Sequence, residues 1–244
     1  MENLKALILA AGKGTRLATE GIDLPKAMRV ALGKPLIGYV LDELAFLDKK
    51  DIIMVVGFKR ESIVKTFSEY NFAIQEEQLG TGHAVMCAQD YLKDYDGDVI
   101  ICYGDMPLLS RATYTALAET HKAEGNDCTI LTGTTDEDLP YGRIIRDEND
   151  QFVHVVEERD CTPEQKAIRE LNIGVYVYKA QKLLASLGEL NTNNAQNEYY
   201  LTDVPSIIRS HGGKIGLCKR TLGAEVIGVN TVQQLEQVEN YLRK

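Results

Sequence analysis

The chain has 244 residues, 44% hydrophobic and 26% charged, with a formal net charge of −9. That length buries a sizeable core, and the composition is that of an ordinary globular protein. An acidic balance argues against a nucleic-acid or anionic-membrane binder, which would carry a basic face, yet leaves room for local cations around a small anion.

Along the chain, Leu4–Ala10 reads as a buried strand, and Leu36, Ile37, Val40, Leu41 and Leu44 as one face of a helix. Asp51–Gly57 is a second buried strand, Lys59–Tyr70 a polar-faced helix and Phe72–Glu76 a shorter strand. A helix over Gly82–Lys93 and a strand over Asp98–Tyr103 follow. This alternation predicts an α/β, Rossmann-like fold: a mostly parallel sheet flanked by helices. Further on, Arg143–Asp147 and Gln151–Glu158 flank the turn-rich "ENDQ", predicting an antiparallel excursion. Thr162, Pro163 and Gln165 have the spacing of an N-cap, N1 and N3, so a helix begins there. Leu171–Tyr178 is a strand; two more helices and strands near Ile215 and Val226 follow. The last helix, Thr231–Leu242, carries Val232, Leu235, Val238 and Leu242 on one side. With no repeat or linker, a single domain over 1–244 is expected.

Cys87, Cys102, Cys128, Cys161 and Cys218 are scattered and form no C-x-x-C pair, so they read as free thiols rather than a zinc site. No apolar run approaches the ~20 residues that span a bilayer. The opening residues lack the basic and apolar regions of a secretory signal, so a cytoplasmic protein is expected.

The stretch "LILAAGKGTRLATEGIDLPKAM" (Leu7–Met28) has the look of a phosphate-binding loop. It fails the dinucleotide fingerprint, which needs a small residue where Leu17 stands, and it fails Walker A, because Lys13 lies between closely spaced glycines. What remains is G-K-G-T-R leaving a buried strand. Glycines let the backbone turn N–H groups toward an anion, and Lys13, Arg16 and Lys26 supply charge. A glycine-rich turn with solvated cations is the plainer alternative. Asp105 in "CYGDMPLL" follows a strand, where ligands of open α/β sheets gather, although a lone Asp in a turn is commonplace. The Gln75 amide can both donate to and accept from a base edge, and Thr81 reads equally well as a helix cap. His83, His121, His154 and His211 lack metal or triad spacing and read as structural or surface residues.

"LAAGKGTR" followed by "LPKAM" resembles the signature loop of the sugar-nucleotide pyrophosphorylases. "EEQLGTGHAV", "CYGDMPLL", "YGRIIRDENDQFVHVVEERD", "ELNIGVYVY", "NNAQNEYYLTDV" and "VIGVNT" occur in order after it. From about Leu4 to Leu242 the chain resembles the uridyltransferase domains of the bacterial N-acetylglucosamine-1-phosphate uridyltransferases. The resemblance implies a nucleotide-diphospho-sugar transferase fold with a nucleotide-binding half (about 1–110), a sugar-binding half (about 111–230) and a C-terminal helix (231–244). It implies a Mg²⁺-dependent reaction of UTP with N-acetylglucosamine-1-phosphate, giving UDP-N-acetylglucosamine and pyrophosphate.

By the same resemblance, Leu9, Ala10, Ala11, Gly12, Gly14, Gln75, Gly80 and Thr81 bind the nucleotide, with Gln75 and the Gly80 backbone on uracil. Lys13, Arg16 and Lys26 are catalytic through charge, Asp105 and Asn230 hold Mg²⁺, and Tyr103, Gly142, Glu157 and Asn172 meet the sugar. Asn230 could instead cap the last helix, a role Thr231 can take over. Glu198, Tyr199 and Asp203 read equally as structural. The alternatives are a pyrophosphorylase for another hexose-1-phosphate, such as glucose-1-phosphate, or a non-catalytic nucleotide-sugar sensor. Three departures from the family pattern stand out: a longer 17–24 segment, Ile173 where a threonine is usual, and no acetyltransferase half. A stand-alone enzyme or a fragment, monomer or dimer, are all left open.

Overall fold

A computed structural model describes residues 3–14, 17, 24–134, 139–221 and 223–243. The strands are β1 (Leu4–Leu9), β2 (Val30–Ala31), β3 (Lys34–Pro35), β4 (Ile52–Val56), β5 (Asn71–Ile74), β6 (Asp98–Tyr103), β7 (Cys128–Thr134), β8 (Gly142–Arg146), β9 (Phe152–Val156), β10 (Glu170–Lys179) and β11 (Ile215–Arg220). The helices are α1 (Leu36–Glu43), α2 (Arg60–Thr66), α3 (Thr81–Cys87), α4 (Arg111–Glu124), α5 (Pro163–Lys166), α6 (Ala180–Leu187), α7 (Val204–Ser210) and α8 (Val232–Leu242).

The main sheet runs β11-β7-β10-β6-β1-β4-β5, with the β8–β9 hairpin attached to β10. β6, β1, β4 and β5 are mutually parallel, and β11 is parallel to β7. β10 runs antiparallel to both β6 and β7. Alternation along β1 sends Ala6 and Ile8 to one face and Leu7 and Leu9 to the other. The first face is covered by Ile37, Val40 and Leu41 of α1 and by Tyr114 and Leu117 of α4. The second is covered by Val85 of α3, Leu183 and Leu187 of α6, and Ile208 of α7. A smaller cluster of Leu17, Ala31, Leu36, Val229 and Val238 seats α8 beside the β2–β3 ribbon.

The α/β, mostly parallel architecture matches the sequence reading, and so does the antiparallel excursion. In its turn, Asp147 Oδ1 accepts from the N–H groups of Asn149 and Gln151 at 2.9 and 3.0 Å, and Asp150 takes a φ of 59°. The reciprocal bonds of Thr162 and Gln165 are present, but the helix they start is the single turn α5. The expected helix over 82–93 ends at Cys87 and continues only as a 3-10 turn over Gln89–Tyr91. The strand expected near Val226 is instead a 3-10 turn, Gly223–Val226, whose last carbonyl accepts from the Tyr141 hydroxyl. Residues 111–134, given no element above, form α4 and β7. The Ser110 hydroxyl caps α4 by accepting from Thr113 N–H, and Gly125 ends it at φ 65°. The five cysteines are unpaired, with Cys102, Cys128 and Cys218 buried. Among the described residues no helix is long and apolar enough to cross a membrane.

Ile100 lies in β6 at the centre of the sheet and is fully buried. Ile100→Ala should therefore cost about 2–5 kcal/mol in a denaturant melt; a cost within error of zero would mean that the site collapses to fill the space.

Candidate active site

The carboxyl ends of β1, β4, β5 and β6 lie at one end of the sheet, and the start of reversed β10 lies there too. After β1, Ala10 N–H still donates to Val55 O at 2.8 Å, as in a strand. The N–H groups of Ala11, Gly12, Lys13 and Gly14 then donate to no acceptor among the described residues. Consecutive unspent amides of this kind are groups that an anion can use, and those of Ala11 and Gly12 lie on the first cleft described below. Gly14 sits at φ 65°, and a Cβ there would lie 2.8 Å from Lys26 Cβ, so only glycine lets the loop pass this close to Lys26. Leu17 anchors the loop: it is buried, and its carbonyl accepts from Arg29 Nη1 at 2.7 Å.

Lys26 opens a 3-10 turn immediately after Pro25. Its ammonium is ion-paired with Asp105 and donates to Asn230 Oδ1 at 2.7 Å. Asp105 follows β6, and its carbonyl accepts from Val229 N–H at 2.9 Å, which holds the segment carrying Asn230 alongside. Thr231, not Asn230, caps α8, through a reciprocal pair of bonds with Gln234. The Asn230 amide oxygen is thereby directed at the same point as the Asp105 carboxylate.

Two clefts open on either side of this point. The first, about 220 Å³, is lined by Leu9, Ala10, Ala11, Gly12, Gln75, Gly80 and Thr81, with Gln78 and Glu198 at its edge. Gly80 takes a φ of 111°, and a Cβ there would stand 2.5 Å from Tyr199 O. Leu79 O and Gly82 N–H pair with the backbone of Tyr199, so the 191–200 segment braces the wall. Thr81 does not cap α3; its hydroxyl accepts from Leu201 N–H at 3.1 Å.

The second cleft, about 1030 Å³, is lined by Gly142, Glu157, Asn172, Ile173, Thr202 and Asn230, and by residues of α8. Lys26, Tyr103 and Asp105 line both clefts, so the two meet there. A bulge between Asn172 and Tyr176 shapes its floor. The Asn172 amide holds that bulge, accepting from Gly174 N–H at 3.2 Å and donating to Tyr176 Oη at 2.8 Å. Gly174, at φ 84°, gives the Tyr103 ring room; a Cβ would be 2.9 Å from its Cε2. Ile173 reaches the cleft but is only 1% exposed and belongs to the core. Burial pushes the Glu157 carboxyl above its usual range. The negative charges of Asp160, Asp203 and Glu198 add to this, against the hydroxyl of Thr202. Burial raises Asp203 as well, helped by Asp160.

Of the residues singled out in the sequence, Leu9, Ala10, Ala11, Gly12, Gln75, Gly80, Thr81, Lys26, Asp105, Tyr103, Gly142, Glu157, Asn172 and Asn230 line the two clefts. Gly14 supports Lys26 from behind. Lys13 is exposed and lines neither cleft. Arg16 and most of the longer 17–24 segment lie outside the described residues. Sequence reasoning missed Gln78, whose Nε2 donates to Gln75 O at 3.3 Å, and the amide-rich face of α8 (Gln233, Gln237 and Asn240) in the second cleft. The i, i+4, i+7 spacing of those amides was the available signal. It did not foresee the contact of His83, whose Nδ1 lies 3.1 Å from Gln75 Nε2.

The nucleotidyl transferase family model matches residues 5–219, and the chain belongs to that family. It is 44% identical over 245 residues to the bifunctional protein GlmU of Caldanaerobacter subterraneus subsp. tengcongensis, covering 100% of this chain and 52% of that protein. It is 43% identical over the same length to the bifunctional protein GlmU of Thermoanaerobacter pseudethanolicus, with the same shares. The protein of that name from Clostridium novyi is 42% identical over 98% of this chain and 52% of its own length. The chain thus spans about half the length of the curated relatives it matches. A crystal structure of a Bacillus anthracis protein assigned as a glucose-1-phosphate thymidylyltransferase, in complex with sucrose, superposes with a TM-score of 0.75 at 16% identity. That superposition covers 99% of this chain and 96% of the other, and it shows a shared fold.

A carboxyl raised by burial binds its proton more tightly folded than unfolded, so stability is lost as pH rises through the folded pKa. Glu157→Gln should therefore raise Tm near pH 7, with the gain vanishing toward about pH 4, where the unfolded carboxyl protonates as well. A gain that is absent, or independent of pH, would show that the carboxylate carries no such cost.

Proposed function

We propose, from that family membership, that the protein transfers a uridylyl group from UTP to N-acetylglucosamine-1-phosphate, releasing pyrophosphate. One observation carries this reading: two clefts of different character share Lys26, Tyr103 and Asp105 as their common wall. The first has the free amides of a phosphate loop at one end and an amide side chain at the other. The second is ringed by groups suited to hydroxyls: Glu157, Thr202 and the carboxamides of α8. The sequence resemblance supports uracil and an N-acetylated hexose as the respective occupants.

In this arrangement the amides of Ala11–Gly14 hold the triphosphate, and Gln75 and Gly80 hold the base. Lys26 lies where the α-phosphate and the sugar phosphate meet and neutralises charge that builds as they approach. An oxygen of the sugar phosphate bonds to the α-phosphorus while the bond to the bridging oxygen of the β-phosphate breaks, and pyrophosphate leaves with that electron pair. The attacking oxygen is already ionised, so no general base is required and positioning dominates. This accounts for two clefts lined by no histidine among the described residues.

Asp105 and Asn230 fit Mg²⁺: a carboxylate and an amide oxygen, both hard donors, already converge on one cationic group, Lys26. Bound there, Mg²⁺ would supply charge neutralisation between two anionic substrates and on the leaving pyrophosphate. Lys13 and Arg16 complete the proposed cationic set.

Pyrophosphate release should be fastest with UTP and N-acetylglucosamine-1-phosphate among a panel of nucleoside triphosphates and sugar-1-phosphates. Preference for glucose-1-phosphate would overturn the sugar assignment, and no turnover with any pair would overturn the enzyme. Asp105→Ala and Lys26→Ala should each lower kcat at least about 10²–10³-fold, measured at a temperature where thermal melts show the variant still folded. Retained activity in either would mean that the reaction centre lies elsewhere.

A further inference from the structure

Gln75 is buried at the end of β5, and the two hydrogens of its amide are both spent. Nε2 donates to Gly80 O at 3.1 Å and lies 3.1 Å from His83 Nδ1. A backbone carbonyl cannot donate, so turning the amide over would set two acceptors against each other. An amide nitrogen cannot accept, so Nδ1 must be the acceptor and His83 the tautomer with its proton on Nε2. That nitrogen faces Cys87 Sγ at 3.9 Å, one turn further along α3. Burial pushes the Cys87 thiol up, so the sulfur stays a neutral, weak acceptor. The Tyr199 ring, with its centroid 6.4 Å away, lies on the other side of the imidazole.

The consequence falls on the atom that is left over. Gln75 Oε1 makes no hydrogen bond among the described residues and is not a buried unpartnered atom, while Gln75 lines the first cleft. Gly80 N–H is likewise unspent among the described residues. The base end of the cleft therefore offers one fixed acceptor beside one backbone donor. A uracil ring answers with N3–H beside a carbonyl oxygen. Cytosine sets a lone pair at N3 against the same acceptor.

We propose that His83 is a positioning residue that locks the Gln75 amide with its oxygen toward the cleft, and thereby sets the preference for a uracil over a cytosine base. This rests on the uridylyl-transfer reading. The Gly80 carbonyl fixes one amide hydrogen; His83 fixes the other and removes the freedom to rotate between edges. Loss of the lock leaves the phosphate loop and Lys26 untouched, so it acts on nucleotide selection and not on the chemical step.

The test compares kcat and KM for UTP and CTP, with N-acetylglucosamine-1-phosphate and Mg²⁺, in the wild type, His83→Phe and His83→Asn. His83→Phe keeps a ring against Tyr199 but offers no acceptor; His83→Asn returns an oxygen near the Nδ1 position. The lock predicts that His83→Phe raises KM for UTP with kcat nearly unchanged. It also narrows the UTP-to-CTP ratio of kcat/KM by about five- to tenfold, the worth of one neutral hydrogen bond. His83→Asn should restore most of that ratio. Thermal melts of both variants test folding. A ratio unchanged in His83→Phe, or an equal loss with both nucleotides, overturns the lock while leaving the uridylyl reading intact. A wild type that uses CTP as well as UTP overturns that reading and the lock with it.

Discussion

The ammonium of Lys26, shared between Asp105 and Asn230, ties together three parts of the chain that are remote in sequence. Its partners are 79 and 204 residues away. Around this one charge the 3-10 turn of Lys26, the end of the central strand β6 and the lead-in to α8 take fixed relative positions. The side chains of Lys26 and Asp105 are 18% and 17% exposed, so the pair is only partly screened by water. Removing either member would strand a charge at the junction of two clefts. The neighbouring backbone is arranged to permit this meeting. Gly14 gives the loop room behind Lys26, and Val229 N–H fastens the Asn230 segment to the Asp105 carbonyl.

The walls of the clefts depend on close approach of backbone to backbone more than on side-chain bulk. Gly80 and Gly82 press against Tyr199, and Gly57 lies where a Cβ would be 2.7 Å from Gln75 O. These contacts bring β4, β5 and the 191–200 segment into one surface, on which Gln75 is held by Val56, Gln78, Gly80 and His83. On the other side, the bulge in β10 spends the Asn172 amide on its own backbone and on Tyr176. Asn172 therefore shapes the floor of the second cleft at least as much as it presents a polar group to a ligand. Ile173, the departure from the family pattern, points its bulk into the core, which is why an apolar residue is tolerated there.

Much of this was legible in the sequence because the parallel strands are buried on both faces and so appear as near-continuous apolar runs: Leu4–Leu9 (interrupted only by Lys5), Ile52–Val56 and Val99–Tyr103. The caps at Thr162 and Thr231 were legible too, since capping is local chemistry. The stretch 111–134 escaped because α4 has a short apolar face, Tyr114, Leu117 and Ala118, among polar residues; Ser110 and Gly125 were its clearer signals. Val226 was misassigned because a short apolar run between glycines has the same periodicity as an edge strand. What His83 touches was hidden for a different reason. Its partner Gln75 is eight residues away across a strand-to-helix turn, and nothing in spacing alone reveals that an imidazole faces an amide. The amides of α8 were missed because their partner is an empty volume, made only when α8 lies across the mouth of the second cleft.

Net charge poses the remaining problem. The chain carries −9, and Glu157, Asp160, Asp203 and Glu198 cluster beside the clefts, yet the proposed substrates are both polyanions. At physiological ionic strength the Debye length is about 8 Å, so the bulk charge is largely screened before a ligand reaches the surface. Apart from Asp105, paired with Lys26, and Glu198, on the first cleft, the carboxylates stand on other elements than the loop amides. The free amides of Ala11–Gly14 and the Lys26 ammonium lie at the ends of β1 and the turn after Pro25. Glu157 and Asp203 belong to the β9 and α7 side. In the proposed reaction phosphates would thus meet dipoles and a cation, while the sugar hydroxyls would meet Glu157. A ligand entering the wrong way round would set phosphate against Glu157, whose carboxyl burial already pushes up. For the proposed substrates, the carboxylate that burial disfavours would therefore also disfavour the reversed pose.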